Sequence, residues 1–260
     1  MSNIAIVMTG HPRYVPQGFS RINTVRKENK DLNFDIFSYT WSDATDPRGT
    51  VPQHFYNGTE DILHSLGDRL VLIEQKPILE KFYNELLSEG CIPHAFPADG
   101  YPILTKEAAI RCSAQLINFM LALKHWQSEW RKYDYIIKLR WDYTFDVESL
   151  RKLIKVKHAD IITTEFRLRH GQVELTVDAV YGTRDAMLMS FTPYDSVLNK
   201  IKQELKTHRQ LVNNTYDKSL QFVNQSEWFT DGLMWYFAVK NKPVSVYQGV
   251  EGRFLREVLL

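Results

Sequence analysis

The chain has 260 residues, enough for one large α/β domain or two unequal lobes, and its 44% hydrophobic content supplies a sizeable core. Its 32 Lys and Arg nearly balance 31 Asp and Glu, which excludes a broad nucleic-acid footprint and a membrane-seeking basic face. Cys91 and Cys112 form no metal or redox motif, and no segment approaches the ~20 consecutive apolar residues of a membrane span.

Residues 3–9 (NIAIVMT) predict a short buried strand ending at Gly10, followed by the turn-rich HPRYVPQG. The same apolar run is too short for a secretory signal, so the sequons at Asn57, Asn213 and Asn224 read as chance. A soluble, cytoplasmic protein is the expectation. Residues 33–40 (NFDIFSYT) and 69–74 (RLVLIE) predict two more strands from their β-branched and aromatic content. Polar, Pro- and Gly-bearing stretches over 42–58 and 90–104 predict loops.

Thr105 can cap a long helix reaching about Lys132. Along it Cys112, Leu116, Phe119, Leu123, Trp126 and Trp130 recur at alternating steps of four and three residues, which is a core face. A strand over 135–139 follows, then a short helix over 147–156, in which the basic run 152–158 reads as a solvated edge. Strands over 160–164 and 174–181 flank a hairpin turn at His170 and Gly171. Pro193 suits the first turn of a helix with Val197, Ile201 and Leu205 on its apolar face. A last helix over 230–240 and a strand over 244–247 complete the reading. Strand–helix alternation early, with antiparallel pieces late, predicts an α/β fold: a mixed, mostly parallel sheet flanked by helices. Such sheets gather ligands at the carboxyl ends of their strands.

The segment that carries chemistry is 133–146 (YDYIIKLRWDYTFD), where a buried strand ends abruptly in Arg140, Trp141 and Asp142. Asp142 offers a hard oxygen ligand for Mg²⁺ or Mn²⁺, ions that take much of their shell from water and substrate phosphates. Arg140 can contact phosphate or fix the Asp142 carboxylate bidentately. A purely structural ion pair at a strand end accounts for the same spacing, because residues two apart share one face of an extended chain.

This run resembles the Arg-x-Asp element of a group of bacterial and viral GT-A-like glycosyltransferases, where a hydrophobic strand opening with Tyr-Asp precedes it. There the element stands in for the Asp-x-Asp motif that binds metal and nucleotide diphosphate. IAIVMTGHPR is similar to the opening strand and loop of that group, FDIFSYTWSD to its second strand, and VDAVYGTRDAM to a later strand–turn–helix. Together, in this order, the segments cover most of the chain at modest identity.

The resemblance implies a single GT-A-like (Rossmann-like) domain over 1–260, with a nucleotide-binding part over about 1–145 and an acceptor-side part over about 146–260. It implies a UDP-sugar donor, a carbohydrate acceptor and a Mn²⁺ or Mg²⁺ ion. Thr9, Gly10 and Arg13 would lie against the nucleotide, Trp41 and Asp43 toward the uridine or ribose, and Arg140 and Asp142 at the diphosphate, with Asp142 the metal ligand. Gly10 lets backbone approach a ligand and Arg13 brings a fixed charge, although an ordinary turn after a strand reads the same way. The chain departs from the family pattern at Thr144, where a second acid would stand; Asp146 reads as a helix cap.

Transfer with inversion needs a carboxylate to take the acceptor hydroxyl proton. Asp231 in SEWFTDGLMWYF, Glu227 four residues earlier and Asp178 are the candidates, while an Asp in a first helical turn also serves the helix dipole unaided. His11, His170 and His208 show no zinc spacing, and Arg253 and Arg256 either close over the diphosphate or are solvated. Two rival functions fit less of the pattern. One is a non-catalytic nucleotide-sugar or glycan-binding module, which the missing second acid suits. The other is a nucleotidyltransferase, for which TGHPR is too poor in glycine.

Overall fold

The apolar run near the amino terminus becomes the sheet's central strand, β1 (Ser2–Gly10), buried from Ile4 onward as a strand covered on both faces must be. The computed structural model describes residues 1–42, 57–89, 106–143, 145, 147–155, 161–169, 172–200, 202–203 and 245–251. In chain order these form β1, α1 (Val15–Glu28), β2 (Leu32–Trp41), α2 (Thr59–His64), β3 (Leu70–Ile73), α3 (Gln75–Ser88), α4 (Lys106–His125) and β4 (Tyr135–Arg140). They continue with α5 (Val147–Lys155), β5 (Ile161–Arg169), β6 (Gln172–Thr183), α6 (Arg184–Phe191) and β7 (Ser245–Glu251).

The strands form one seven-stranded sheet in the order β3-β2-β1-β4-β6-β5-β7. β1 pairs in parallel with both β2 and β4, β2 with β3, and β5 with β7, while β6 runs antiparallel to both its neighbours. This is the mixed, mostly parallel sheet flanked by helices that the sequence predicts. Alternation sends successive side chains to opposite faces. Ala5, Val7, Phe37, Tyr39, Ile136 and Val180 meet Leu116, Phe119, Met120 and Leu123 of α4, together with Met187 of α6. Ile4, Ile6, Met8, Phe34, Ile137 and Leu139 meet Val15 and Ile22 of α1 and Leu150 of α5 on the other face.

The stripe read on α4 is core throughout its described part: Leu116, Phe119, Leu123, Trp126 and Trp130 are all buried, while the Cys112 side chain lies outside the described residues. The helix is shorter than expected. It stops at His125, and Trp130 sits in a separate 3₁₀ turn (Trp130–Lys132). The Trp130 indole N–H donates to the Leu123 carbonyl at 2.7 Å, satisfying one of the carbonyls a helix end leaves unmet. The apolar spacing therefore continues past the point where the helical backbone ends.

α1 and α3 form where the sequence reading gives no helix, and α6 begins where VDAVYGTRDAM reads as strand, turn and helix. α1 starts inside HPRYVPQG, because Pro16 falls in its first turn, where a missing N–H costs nothing. Pro77 sits in the first turn of α3 for the same reason. α6 is opened by Thr183, whose hydroxyl accepts from the Ala186 N–H at 3.3 Å. The helix expected after Pro193 is present over 194–200 with Val197 buried, whereas Ile201 and Leu205 fall outside the described residues. The expected helix over 230–240 and the turn at His170 and Gly171 also lie outside them. Among the described residues no helix is long and apolar enough to cross a membrane.

One close approach locks α1 to the sheet. A Cβ on Gly18 would stand 2.7 Å from the Trp141 carbonyl oxygen and 3.3 Å from its ring, so α1 touches backbone where any other residue would hold it off. Intrinsic helix propensity favours Ala over Gly by about 1 kcal/mol. Crowding against fixed backbone outweighs that term, so Gly18→Ala is expected to lose about 1–3 kcal/mol in urea unfolding. A stability gain in that variant would show that the contact is slack.

Candidate functional site

The order β3-β2-β1-β4 places the reversal of chain direction across the sheet between β1 and β4. Ligands of open α/β sheets bind in the crevice outside the carboxyl ends of the strands at such a switch point. The register sets Thr9 of β1 beside Arg140 of β4, and Gly10 beside Thr40 of β2. Three segments far apart in sequence therefore end together, and they are the three in which nucleotide-binding residues were expected.

On the β1 side, Thr9 is fully buried, and its hydroxyl has no hydrogen-bond partner among the described residues. Gly10 has φ 90°, a left-handed conformation costly for other residues, although the space around it is open. Its carbonyl accepts the Thr40 hydroxyl at 3.0 Å. The Arg13 N–H closes a tight turn onto the His11 carbonyl at 2.8 Å. Tyr14 then adopts φ 57° while 3% exposed, immediately before α1. A buried non-glycine residue held left-handed persists only where its surroundings fix it, and such positions cluster at functional sites.

On the β4 side, Arg140 and Asp142 form a forked pair: Nε donates to Oδ1 at 2.7 Å and Nη2 to Oδ2 at 2.6 Å. Their side chains are 20% and 11% exposed, so the pair is shielded without being sealed. This is the bidentate arrangement anticipated for Arg140, and it is the geometry that a structural ion pair also takes. Each Asp142 oxygen keeps lone-pair capacity beyond the guanidinium bond. The carboxylate can therefore serve a hard cation as a single protein ligand, with the rest of the shell supplied from outside the chain. Among the described residues no group of three or more His, Cys, Asp and Glu side chains could hold a metal by itself.

What fixes this clamp is a feature the sequence reading passed over. Trp141, Tyr143 and Phe145 are 0%, 1% and 2% exposed and insert into the core on the α1 side. Phe145 meets Phe34 edge-on at 5.7 Å and stacks on Tyr181 at 6.2 Å. Beyond β4 the chain thus sends Trp141, Tyr143 and Phe145 into one core, and the signal was present as apolar alternation at 141, 143 and 145.

Trp41 is 1% exposed and packs in the α4-side core, so its indole is placed as a packed aromatic rather than an open platform. Just beyond it a shallow cleft of about 370 Å³, lined by Ser42, Glu74, Lys76 and Pro77, opens at the carboxyl ends of β2 and β3. The sequence reading singled out none of its lining residues. In the adjoining strand β2, burial pushes the Tyr39 phenol up from its ordinary value. Asp178 lies in β6, one residue beyond Ala179, which is the last partner of Leu139 in the ladder to β4. Asp43, Thr144, Asp146, Glu227, Asp231, Arg253 and Arg256 lie outside the described residues.

No protein-family profile matches the chain. No curated protein sequence matches it either. Solved structures align with it at low overlap. A glycosyltransferase involved in the glycosylation of the major capsid of PBCV-1 is 10% identical over 94% of this chain and 82% of that one, with a TM-score of 0.33. The galactosyltransferase LgtC, in complex with donor and acceptor sugar analogs, is 10% identical over 71% of this chain and 59% of its own, with a TM-score of 0.31. The bifunctional glycosyltransferase WbbM is 10% identical over 95% of this chain, which spans only 38% of WbbM, with a TM-score of 0.39.

The clamp makes its own prediction. Arg140→Lys keeps the charge and loses the fork, so unfolding free energy is expected to fall by about 1–2 kcal/mol at unchanged denaturant slope. An unchanged urea midpoint would mean that the pair does not hold in solution.

Proposed function

We propose that this chain transfers a sugar from a nucleotide-diphosphate donor, UDP-linked, to a carbohydrate acceptor. One observation carries the reading. The segment resembling the Arg-x-Asp element ends at the switch point of the sheet, in register with the Thr9–Gly10 end of β1. The motif's position and the place where such sheets take their ligands coincide.

In this reading, residues up to about 145 hold the nucleotide and those beyond serve the acceptor. Thr9 and Gly10 bring buried polar atoms and uncrowded backbone to the phosphates, and Arg13 adds charge from the loop that follows. Arg140 fixes the Asp142 carboxylate in one orientation, which removes the freedom an unpartnered side chain would lose on binding. Asp142 would hold Mn²⁺ or Mg²⁺ together with the diphosphate, and the ion would supply neutralising charge for the departing nucleotide. Asp231, Glu227 or Asp178 would take the acceptor's hydroxyl proton.

A second reading has an observation of its own. The one acid of the motif is already engaged at both oxygens by Arg140, and Thr144 replaces a second acid. A binding module that keeps the fold without turnover needs no more than this. Incubation with a panel of UDP-sugars and Mn²⁺ separates the two, since only the enzyme releases UDP.

Calorimetric titration with UDP in the presence of Mn²⁺ tests the site itself. The unaltered chain is expected to bind. Asp142→Ala, with its far-ultraviolet circular dichroism unchanged, is expected to bind at least about tenfold more weakly, a loss of roughly 1.4 kcal/mol. Equal affinity in the two proteins would overturn the role given to Asp142.

A further inference from the structure

The two halves of the site are joined a second time, through α1 as well as through the sheet. α1 opens directly after the loop bearing Arg13, and the Gly18 N–H donates to the Tyr14 carbonyl at 2.8 Å. Gly18 in turn lies on Trp141, the residue between Arg140 and Asp142. A Cβ at Gly18 would stand 2.7 Å from the Trp141 carbonyl oxygen and 3.6 Å from the carbonyl carbon. That carbonyl belongs to the peptide bond that joins Trp141 to Asp142. A glycine inside a helix is weaker than alanine by propensity, so its place here calls for a reason in packing.

The elements that meet at this contact differ in stiffness. α1 is a 14-residue helix that buries Val15, Ile22 and Val25 in the core. Its partner is a turn in which the Tyr143 N–H donates to the Arg140 carbonyl at 3.3 Å, beyond the usual length of such a bond. A side chain at position 18 would therefore shift the turn more than the helix. The peptide group is planar, so a displaced Trp141 carbonyl carries the Cα of Asp142 with it. Asp142 is 8% exposed and is held by Arg140 at both carboxylate oxygens. A fork of that kind depends on alignment, and a moved Cα spoils it.

We infer that Gly18 is a positioning residue of the site: it lets α1 brace the Trp141–Asp142 peptide, and the brace sets where the Asp142 carboxylate stands relative to the loop before α1. The ligand-binding half of this inference rests on the sugar-nucleotide reading, and the contact itself does not. Gly18 acts only through that peptide. What it props is the turn bearing the charged pair, so the contact reaches beyond the stability of the core.

The test uses the full chain with Gly18→Ala, and with Ile22→Val as a control on the same helix. Ile22 is 1% exposed in the same core, so shortening it loosens α1 and leaves the Trp141 carbonyl untouched. Calorimetric titration with UDP is run with Mn²⁺ and again with the metal chelated. Gly18→Ala is expected to lose at least about tenfold of the Mn²⁺-supported affinity, at unchanged stoichiometry and with little change in metal-free affinity. Ile22→Val is expected to keep the full Mn²⁺ effect. A merely structural role would instead lower the competent fraction, and so the stoichiometry, in both variants. An intact Mn²⁺ effect in Gly18→Ala, or equal losses in the two variants, would overturn the positioning role.

Urea unfolding reads the contact without a ligand. Arg140→Lys is expected to lower the urea midpoint at most about half as much in the Gly18→Ala background as in the unaltered chain, because the fork is already displaced there. Midpoint shifts that simply add would overturn the brace. If Gly18→Ala does not fold, amide hydrogen exchange in the unaltered chain and in Arg140→Lys takes its place. Freeing the turn is then expected to speed exchange at Gly18 by at least about tenfold, and unchanged exchange overturns the brace. Absence of Mn²⁺-supported UDP binding by the unaltered chain would overturn the sugar-nucleotide reading, and the unfolding and exchange measurements would still decide the brace.

Discussion

The parallel pairing of β1 with β4 is the constraint on which the rest of this molecule depends. It joins residues 4–9 to residues 135–140, bridging more than a hundred residues of chain, and it places the sheet's reversal point between them. A parallel pair cannot be closed by a short turn, so everything between has to be packed as crossover. α1, α3 and α4 are the result, and the burial of β1 and β4 on both faces follows from having helices above and below. The crevice at the carboxyl ends is a geometric consequence of that pairing, present before any particular side chain is considered.

What the pairing leaves undetermined is the path of the chain beyond β4, and packing settles it. Trp141, Tyr143 and Phe145 continue the strand's alternation and drive the segment into the α1-side core. Their burial turns Arg140 and Asp142 toward each other at the rim. Gly18 completes the arrangement from the other direction, since only a residue without a side chain lets α1 reach the Trp141 carbonyl. Core packing on one face thus holds the charged pair, and large aromatic side chains supply the rigidity that a solvated loop would lack.

The fold was legible in the sequence where periodicity was strong. The strands over 3–9, 33–40, 69–74 and 135–139 all form within one or two residues of the expected bounds, because each is a short apolar run flanked by breakers. α1 was not legible, because Pro16 reads as part of a turn and only its location in a first turn makes it harmless. The site was legible as a motif and illegible as a constellation. Arg140 and Asp142 stand out by spacing, whereas the adjacency of Thr9 to Arg140 is a property of register that no local pattern encodes. Trp41 shows the limit in the other direction, since an aromatic at a strand end reads equally as platform or as core, and its 1% exposure assigns it to the core.

Charge placement carries the last step. β4 is apolar at Ile136 and Ile137, and then cationic at Lys138 and Arg140 on a single face, an arrangement that self-repulsion and desolvation both oppose. A strand destined only for the core would carry Val or Ile at those places. The forked bond to Asp142 offsets the charge of Arg140 at the strand's end. β6 runs antiparallel to β4 and so brings its earlier residues to the carboxyl end of that strand. Had β6 run with the others, Asp178 would stand elsewhere along β4. The reversed strand therefore carries backbone from the second half of the chain to the carboxyl end of β4, beside the switch point of the sheet.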